Sequence, residues 1–443
     1  MKTIANAPKA ALSRLSTEGR AGLSSLGWMG LGQFAGLSIR LVSNVVLARV
    51  LAPDVYGILG AALAVLTTLE WLSDLGIQPA LVRHPKGAEP SYLMTGWWMG
   101  VARGLALTSV AAALALPYAV FTKLPALAGI LAALALRPAL IALRSPGMPA
   151  LRKRLHYRSL FVEELTQTGA GTIVSLALAL ATHSIWAIVW GTLAGACSAV
   201  AVSYVLCPMR PRPLWDREAA REIGHLGRQV LINTMVMALW LNMDRLLGPR
   251  FIPLAEMGIY AVAWNLAAVL EGLVTRACDV YFSMLSRRGD ALGQAAWHEA
   301  VCRKLTWLAL PLGPLAIGLA PFLIRLLYDS RYAAASPLFA LLVARLLIRT
   351  LGQVQFQYLM ARAEVHVATR AYLVALAVQA ALFAGLVPAF GATGLALAAL
   401  GSTTALTFVQ SWCLERRTGA GLGGFAITFG AMSAGLAVVM LLS

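Results

Sequence analysis

The chain is a succession of apolar stretches, each about the length of a bilayer crossing, separated by short polar breaks. Taking about 20 apolar residues as one crossing, the pattern predicts thirteen membrane-spanning helices. They are 23–50, 55–77, 91–117, 124–143, 163–182, 184–206, 227–248, 256–284, 303–328, 335–361, 367–388, 392–413 and 423–442. The pairs 163–182/184–206 and 367–388/392–413 are so closely spaced that they read as tight hairpins. The first run is longer than a signal-peptide core and no small-residue cleavage site follows it, so it reads as a retained helix. Gly32-x-x-x-Gly36 and the Gly96, Gly100, Gly104 series let helices approach closely. Pro311, Pro314 and Pro321 are expected to bend the span that holds them.

Polar residues recur inside these spans at helical spacing. Span 1 carries Gln33, Arg40 and Asn44 on one face; span 2 carries Thr67, Glu70 and Asp74. Span 8 has Glu271 and Thr275, with Arg276 and Asp279 beside them. Span 10 has Arg345, Arg349, Gln353 and Gln357, each four residues from the next. Of the arginines within spans, Arg49, Arg245 and Arg325 lie near span ends and reach water by extending. Arg103, Arg345 and Arg349 lie near span centres, with Arg40, Arg137 and Arg276 at intermediate depth. A charge at that depth costs roughly 2.5–3.5 kcal/mol on insertion scales, so it faces a partner or a water-filled cavity. Two roles stay open for each arginine: pairing with an acid across helices to fix packing, or binding an anionic ligand in a cavity. Glu70, Asp74, Glu271 and Asp279 are equally open between ion-pair partner and carrier of a coupling proton or cation. Asp244-Arg245 and Arg49/Asp54, at span ends, read as structural or gating pairs.

Composition changes this picture in one direction only. Hydrophobic residues are 59% of the chain, charged residues 12%, and mean hydropathy is +0.74. That is an all-α polytopic membrane protein, without the polar surface a soluble chain of this length needs. The net charge of +17 raises nucleic-acid binding. However, the basic residues lie in short loops between apolar runs, as membrane topology requires. With the N-terminus inside, the inner segments hold clusters such as Arg152-Lys153-Arg154 and Arg217/Arg221, while the outer loops hold only Lys123, Arg250 and Arg331. The expected location is therefore a cytoplasmic membrane with the N-terminus cytoplasmic and no nucleic-acid partner. The run Arg152–Arg158 also suits anionic lipid headgroups. Five cysteines and six histidines are scattered without metal-ligand spacing. There is no phosphate loop, nucleophile elbow or dinucleotide fingerprint. No metal or cofactor is expected, and the short outer loops leave no place for a catalytic domain: a transporter, not an enzyme.

A repeat is visible at the first outer loop of each half. Span 1 ends in Arg49-Val-Leu-Ala-Pro53 and span 7 in Arg245-Leu-Leu-Gly-Pro249. Gly57 follows the first loop and Gly258 the second, and an acid comes thirteen residues after each, Glu70 and Glu271. The expected organisation is a basic N-terminus (1–22), a six-span lobe (23–206), a linker (207–226), a second six-span lobe (227–413) and an extra span (414–443). Six spans per repeat is an even number, so the lobes run parallel, with a substrate cavity expected between them.

The segment Gly32-Gln33, Val45–Gly57 (VVLARVLAPDVYG) and Leu72–Val82 (LSDLGIQPALV) resembles the N-terminal signature of Wzx-type flippases. These move lipid-linked oligosaccharides and belong to the multidrug/oligosaccharidyl-lipid/polysaccharide (MOP) exporter superfamily. The chain departs from that signature at Ala52, where glycine is usual, and at Val55, inserted between Asp54 and Tyr56. The resemblance implies two six-helix lobes around a central cationic cavity and alternating access. The implied substrate is an undecaprenyl-diphosphate-linked oligosaccharide, and the implied partners are membrane lipids, a polysaccharide polymerase and chain-length proteins. On depth and spacing, Arg40, Arg103, Arg137, Arg276, Arg345 and Arg349 are the candidate ligand-binding cations, lining the cavity with Gln33, Asn44, Gln353 and Gln357. A lipid II flippase and a multidrug exporter are the alternatives within the superfamily. A polymerase is disfavoured by the loops.

Overall fold

The computed structural model describes residues 35–74, 76–154, 156–286, 291–362 and 364–418; the start of span 1 with Gln33, and the thirteenth span, lie outside the described residues. Those described residues form helices and short connections. They are α1 (35–50), α2 (Pro53–Leu72), α3 (Ile77–Arg83), α4 (Pro90–Thr122), α5 (Pro125–Leu134), α6 (Leu136–Ala142) and α7 (Met148–Lys153), followed by α8 (Tyr157–Thr182) and α9 (Trp186–Leu206). The second half comprises α10 (Arg217–Phe251), α11 (Leu254–Ser286), α12 (Ala291–Leu327), α13 (Ala335–Ala361) and α14 (Val365–Thr418). Among the described residues, eight helical stretches are long and apolar enough to cross a membrane, and the chain is a multi-pass membrane protein.

Local chemistry sets the breaks. Proline opens α2, α4 and α5, where its missing N–H costs nothing. Lys123 and His183 end α4 and α8 in the left-handed region. Asp216 caps α10, accepting from the N–H groups of Glu218 and Ala219. α14 contains both predicted spans of the last hairpin. The chain reverses at Gly391 (φ 54°, ψ −129°), so that Gly401 lies against Leu382 and Gly394 against Leu386. The prolines of α12 lie inside a continuous helix. Span 4, in contrast, is broken at Ala135 between α5 and α6, three residues before Pro138, and the Ala135 carbonyl accepts from the Thr108 hydroxyl at 2.7 Å.

The signature residues have local work. Asp74 accepts the Gly76 N–H at 3.0 Å, and Gly76 adopts φ 59°, at the turn from α2 into α3. Gly57 and Gly258 lie at one crossing of α2 and α11. A Cβ on Gly57 would stand 2.5 Å from the Leu254 carbonyl oxygen, and one on Gly258 would stand 1.8 Å from that of Pro53. The matched glycines of the repeat are thus where the halves press backbone to backbone.

This crossing lies at the arginine-poor end of the bundle, and other contacts join it. Arg49 Nη2 donates to the carbonyls of Leu326 and Leu327 at the end of α12 (3.3 and 3.2 Å). Arg331 Nη2 donates back to the Arg49 carbonyl at 2.9 Å, and Asp329 holds its guanidinium. Arg49 therefore bonds carbonyls rather than Asp54. Elsewhere α2 packs on α10 and α11, and α4 on α10, with the Tyr118 hydroxyl donating to the Leu246 carbonyl at 2.8 Å. At the arginine-rich end, the first turns of α10 bury Ala219 and Ile223 against Ile77, Ala80, Leu81 and Tyr92.

Candidate functional site

A cavity of about 770 Å³ opens among α1, α2, α3, α4, α6, α7 and α8. Arg40, Arg103, Arg137, Arg144 and Arg152 line it, opposed by Glu70, Asp74, Glu163 and Glu164. The break before Leu136 brings Arg137 into the cavity, where its Nη1 lies 2.9 Å from Glu70 Oε1. Arg103 meets a different part of the same helix end. Its Nε donates to the Ser73 carbonyl (2.7 Å) and hydroxyl (3.1 Å), and its Nη2 to the Glu70 carbonyl (2.5 Å). The last carbonyls of a helix have no partner within it, so Arg103 caps α2. Arg144 Nη1 lies 3.0 Å from Glu163 Oε1 and Nη2 donates to Gln167 Oε1 at 2.9 Å. Arg40 is exposed on α1 and makes no ion pair among the described residues. Five guanidinium groups against four carboxylates leave a positive balance inside a recess of membrane helices.

A second cluster is packed inside the other half. Arg345 is 6% exposed; its Nε donates to Thr403 Oγ1 at 3.1 Å and its guanidinium lies 4.7 Å from the Trp264 ring centre and 5.7 Å from that of Trp240. Arg245 covers Trp264 at 4.6 Å and donates to Asn242 Oδ1 at 2.5 Å. Arg349 pairs with Glu271 and lies 5.6 Å from Trp240. The Tyr260 hydroxyl donates to Asp244, both fully enclosed. Desolvated cation–π contacts of this kind are each worth about 2 kcal/mol or more. They make the cluster a packed unit within the second half.

The six candidate arginines are therefore not brought into one cavity. Arg40, Arg103 and Arg137 share the first-half cavity with Glu70 and Asp74, whose lining residues all precede residue 168. Arg345 and Arg349 do not line it, because α13 is enclosed by α11, α12 and α14 and turns its stripe into the second half. Gln353 follows that stripe and donates to Thr275 at 3.4 Å, and Gln357 is half-buried. Arg276 and Asp279 form an exposed pair on α11 at 3.4 Å. Asn44 is half-buried on α1, and its carbonyl accepts from the Tyr56 hydroxyl.

A family profile described as polysaccharide biosynthesis protein matches residues 46–337. The chain belongs to the polysaccharide biosynthesis protein family. It is 22% identical over 256 residues to the succinoglycan biosynthesis transport protein ExoT of Rhizobium meliloti (strain 1021). That match covers 57% of this chain and 51% of ExoT, so the chain spans about half the length of this curated relative. Among solved structures, the lipid II flippase MurJ in an inward closed conformation superposes with a TM-score of 0.73 at 12% identity, covering 93% of this chain and 92% of MurJ. An inward-facing MATE-family multidrug resistance transporter of the MOP superfamily gives 0.67 at 11% identity, covering 90% and 95%. The family member thus carries the MOP transporter fold.

Sequence reasoning assigned Arg152 to topology and did not single out Glu163, Gln167, Trp240 or Trp264. Glu163 and Gln167 are four residues apart at the mouth of a span, a spacing that puts both on one face. The two tryptophans carry no such signal, because an aromatic at an apolar position looks the same whether or not a cation lies over it.

Proposed function

We propose that this protein is a flippase that moves an undecaprenyl-diphosphate-linked oligosaccharide across a bacterial inner membrane by alternating access. In this reading the arginine-rich end faces the cytoplasm and the N-terminus is cytoplasmic. The two six-helix lobes are residues 23–206 and 227–413. The diphosphate enters the first-half cavity and is held by Arg40 and Arg137, while the lipid tail stays in the bilayer. The carrying observation is the net-positive cavity within membrane helices, in which Arg40 has no acidic partner among the described residues. Family membership and the likeness to a succinoglycan biosynthesis transport protein support a saccharide cargo. Glu70, whose carboxylate must release Arg137 when the diphosphate arrives, is the first candidate for coupling to a proton or cation, followed by Asp74, Glu271 and Asp279. Arg345 and Arg349 act in this reading as the rigid interior of the second lobe.

The test is transport in cells carrying Arg40→Ala or Arg137→Ala. Each variant should accumulate the lipid-linked intermediate and lower surface polysaccharide by about tenfold or more, the equivalent of roughly 1.4 kcal/mol of lost binding. Normal export at normal protein levels in both variants overturns the assignment. A multidrug exporter is disfavoured because a net-positive cavity repels cationic drugs. A lipid II flippase shares the diphosphate chemistry, and rescue of cells depleted of their own lipid II flippase would identify it.

A further inference from the structure

The connection between the two halves, residues 207–216, is strapped to the start of α4. Trp98 Nε1 donates to the Arg212 carbonyl at 3.0 Å, the Asp216 N–H to Thr95 Oγ1 at 3.0 Å, and the Ser145 hydroxyl to the Cys207 carbonyl at 2.6 Å. Pro208, Pro211 and Pro213 fix φ along the strap. Beside it opens a second cavity, of about 500 Å³. Met94, Cys207, Met209 and Leu214 form its apolar side, and Arg210 and Arg212 its charged one. No acid lines it, and neither arginine makes an ion pair among the described residues.

This cavity is separate from the first. Pro90 and Met94 lie on a different face of α4 from Leu93, Gly100 and Arg103, which line the first-half cavity. It sits where α4 begins and α9 ends, and both helices are long and apolar enough to cross a membrane, so it lies at headgroup depth. From it, Trp98, Ala102, Leu105 and Ser109 follow one another along α4 at helical spacing, and all four are exposed. α6 packs on both α4 and α9 and leaves Leu136 half-exposed beside them. A charged recess thus continues into an apolar track that runs down the outside of the bundle.

A ligand that joins a negatively charged head to an apolar tail fits both parts. Guanidinium groups hold phosphate oxygens through paired hydrogen bonds. The prolines of the strap hold Arg210 and Arg212 near one another before a ligand arrives, which lowers the cost of ordering them. Leu214 and Trp215, 44% and 57% exposed, are the apolar and amphipathic groups that settle at a membrane interface. Of the basic run 152–158 that suits headgroups by sequence, Arg152 instead turns into the first-half cavity. We infer that the strap cavity binds an anionic phospholipid of the surrounding bilayer, with its phosphate on Arg210 and Arg212 and an acyl chain along α4. A zwitterionic phospholipid brings its own cation towards the two arginines and binds less tightly. The site is independent of the cargo that the first-half cavity takes.

The test is native mass spectrometry of the purified full-length protein, titrated from detergent with dioleoyl phosphatidylglycerol or dioleoyl phosphatidylcholine. The first phosphatidylglycerol should bind about tenfold tighter than the first phosphatidylcholine. Arg210→Ala with Arg212→Ala should reduce this preference to below about threefold. Arg217→Ala with Arg221→Ala removes the same charge from the exposed first turns of α10 and should leave the preference intact. The single variants Arg210→Gln and Arg212→Gln, which keep much of the side-chain stem, should each weaken phosphatidylglycerol binding by about threefold with an unchanged melting temperature. Equal losses in the two double variants would assign the preference to a basic surface at large and overturn the inference. A parent protein that binds the two lipids alike overturns it too. Inorganic pyrophosphate that displaces phosphatidylglycerol would make the cavity a site for a free anion and also overturn the lipid assignment.

Discussion

Arg103 and Arg137 come from neighbouring parts of the first half, both reach Glu70, and they act on different atoms of it. Arg137 meets the carboxylate and Arg103 the main-chain carbonyl. The first contact can be exchanged for an anionic ligand, whereas the second closes a helix end and has no reason to open. Arg103→Ala should therefore lower the thermal stability of the purified protein, by about 1–3 kcal/mol for carbonyls left without a donor. Arg40→Ala should leave the melting temperature within a degree or so and affect transport alone. A melting curve of Arg103→Ala identical to the parent would show that the cap contributes nothing. Helical spacing placed Arg40, Glu70 and Asp74 on faces that line one cavity. It could not distinguish a capping arginine from a ligand-facing one, since both are cations inside a predicted span. Nor could it foresee the Arg144–Glu163 pair, which depends on the approach of the 143–147 connection to α8.

Among the elements, the hairpins and the repeat were legible because each leaves a local mark. The reversal at Gly391 falls in the three-residue gap between the predicted spans 367–388 and 392–413. The repeat shows as glycines because the close crossing of α2 and α11 leaves no room for Cβ on either helix. Gly258→Ala should thus destabilise the purified protein by about 1–3 kcal/mol through overpacking. Gly318→Ala, which meets nothing within 4 Å, should be neutral or slightly stabilising. Equal melting temperatures for the two variants would remove the crossing as a constraint. Two elements escaped the hydropathy pattern for physical reasons. The first turns of α10 read as a linker, since their apolar face is narrow and docks on α3 and α4 rather than on lipid. The interruption in span 4 hid inside an unbroken apolar run, and Pro138 was its only mark.

At the scale of the whole molecule, stability should depend on pH through a residue far from the cavity. His298 joins three helices at the arginine-rich end of the second half. It lies in the early turns of α12, 3% exposed, with Nδ1 2.7 Å from the Tyr281 hydroxyl of α11 and its ring stacked on Tyr358 of α13 at 4.3 Å. Burial pushes its pKa down from 6.5 to about 4. The unfolded chain takes up this proton near pH 6.5, while the folded protein resists it until about pH 4. The stabilisation is therefore complete above pH 6.5 and is lost progressively as pH falls towards 4. The melting temperature should fall between pH 7.5 and 5, and His298→Gln should flatten that dependence. An equally steep fall in the variant would assign the effect to other groups.

In the alternating-access reading proposed above, the glycine crossing of α2 and α11 would act as a fulcrum near one end of α2 instead of at its middle. α2 runs about 22 Å from Gly57 to its end, so a rotation of about 10° moves the far end by roughly 4 Å and the near end hardly at all. Rocking about this point widens or narrows only the arginine-rich mouth. To open the opposite mouth, the lever must change its pivot: Gly57 and Gly258 have to part, and the Arg49 and Arg331 bonds have to break with them. In that reading, one full transport cycle would need two hinges used in turn, and the second would carry the slower step.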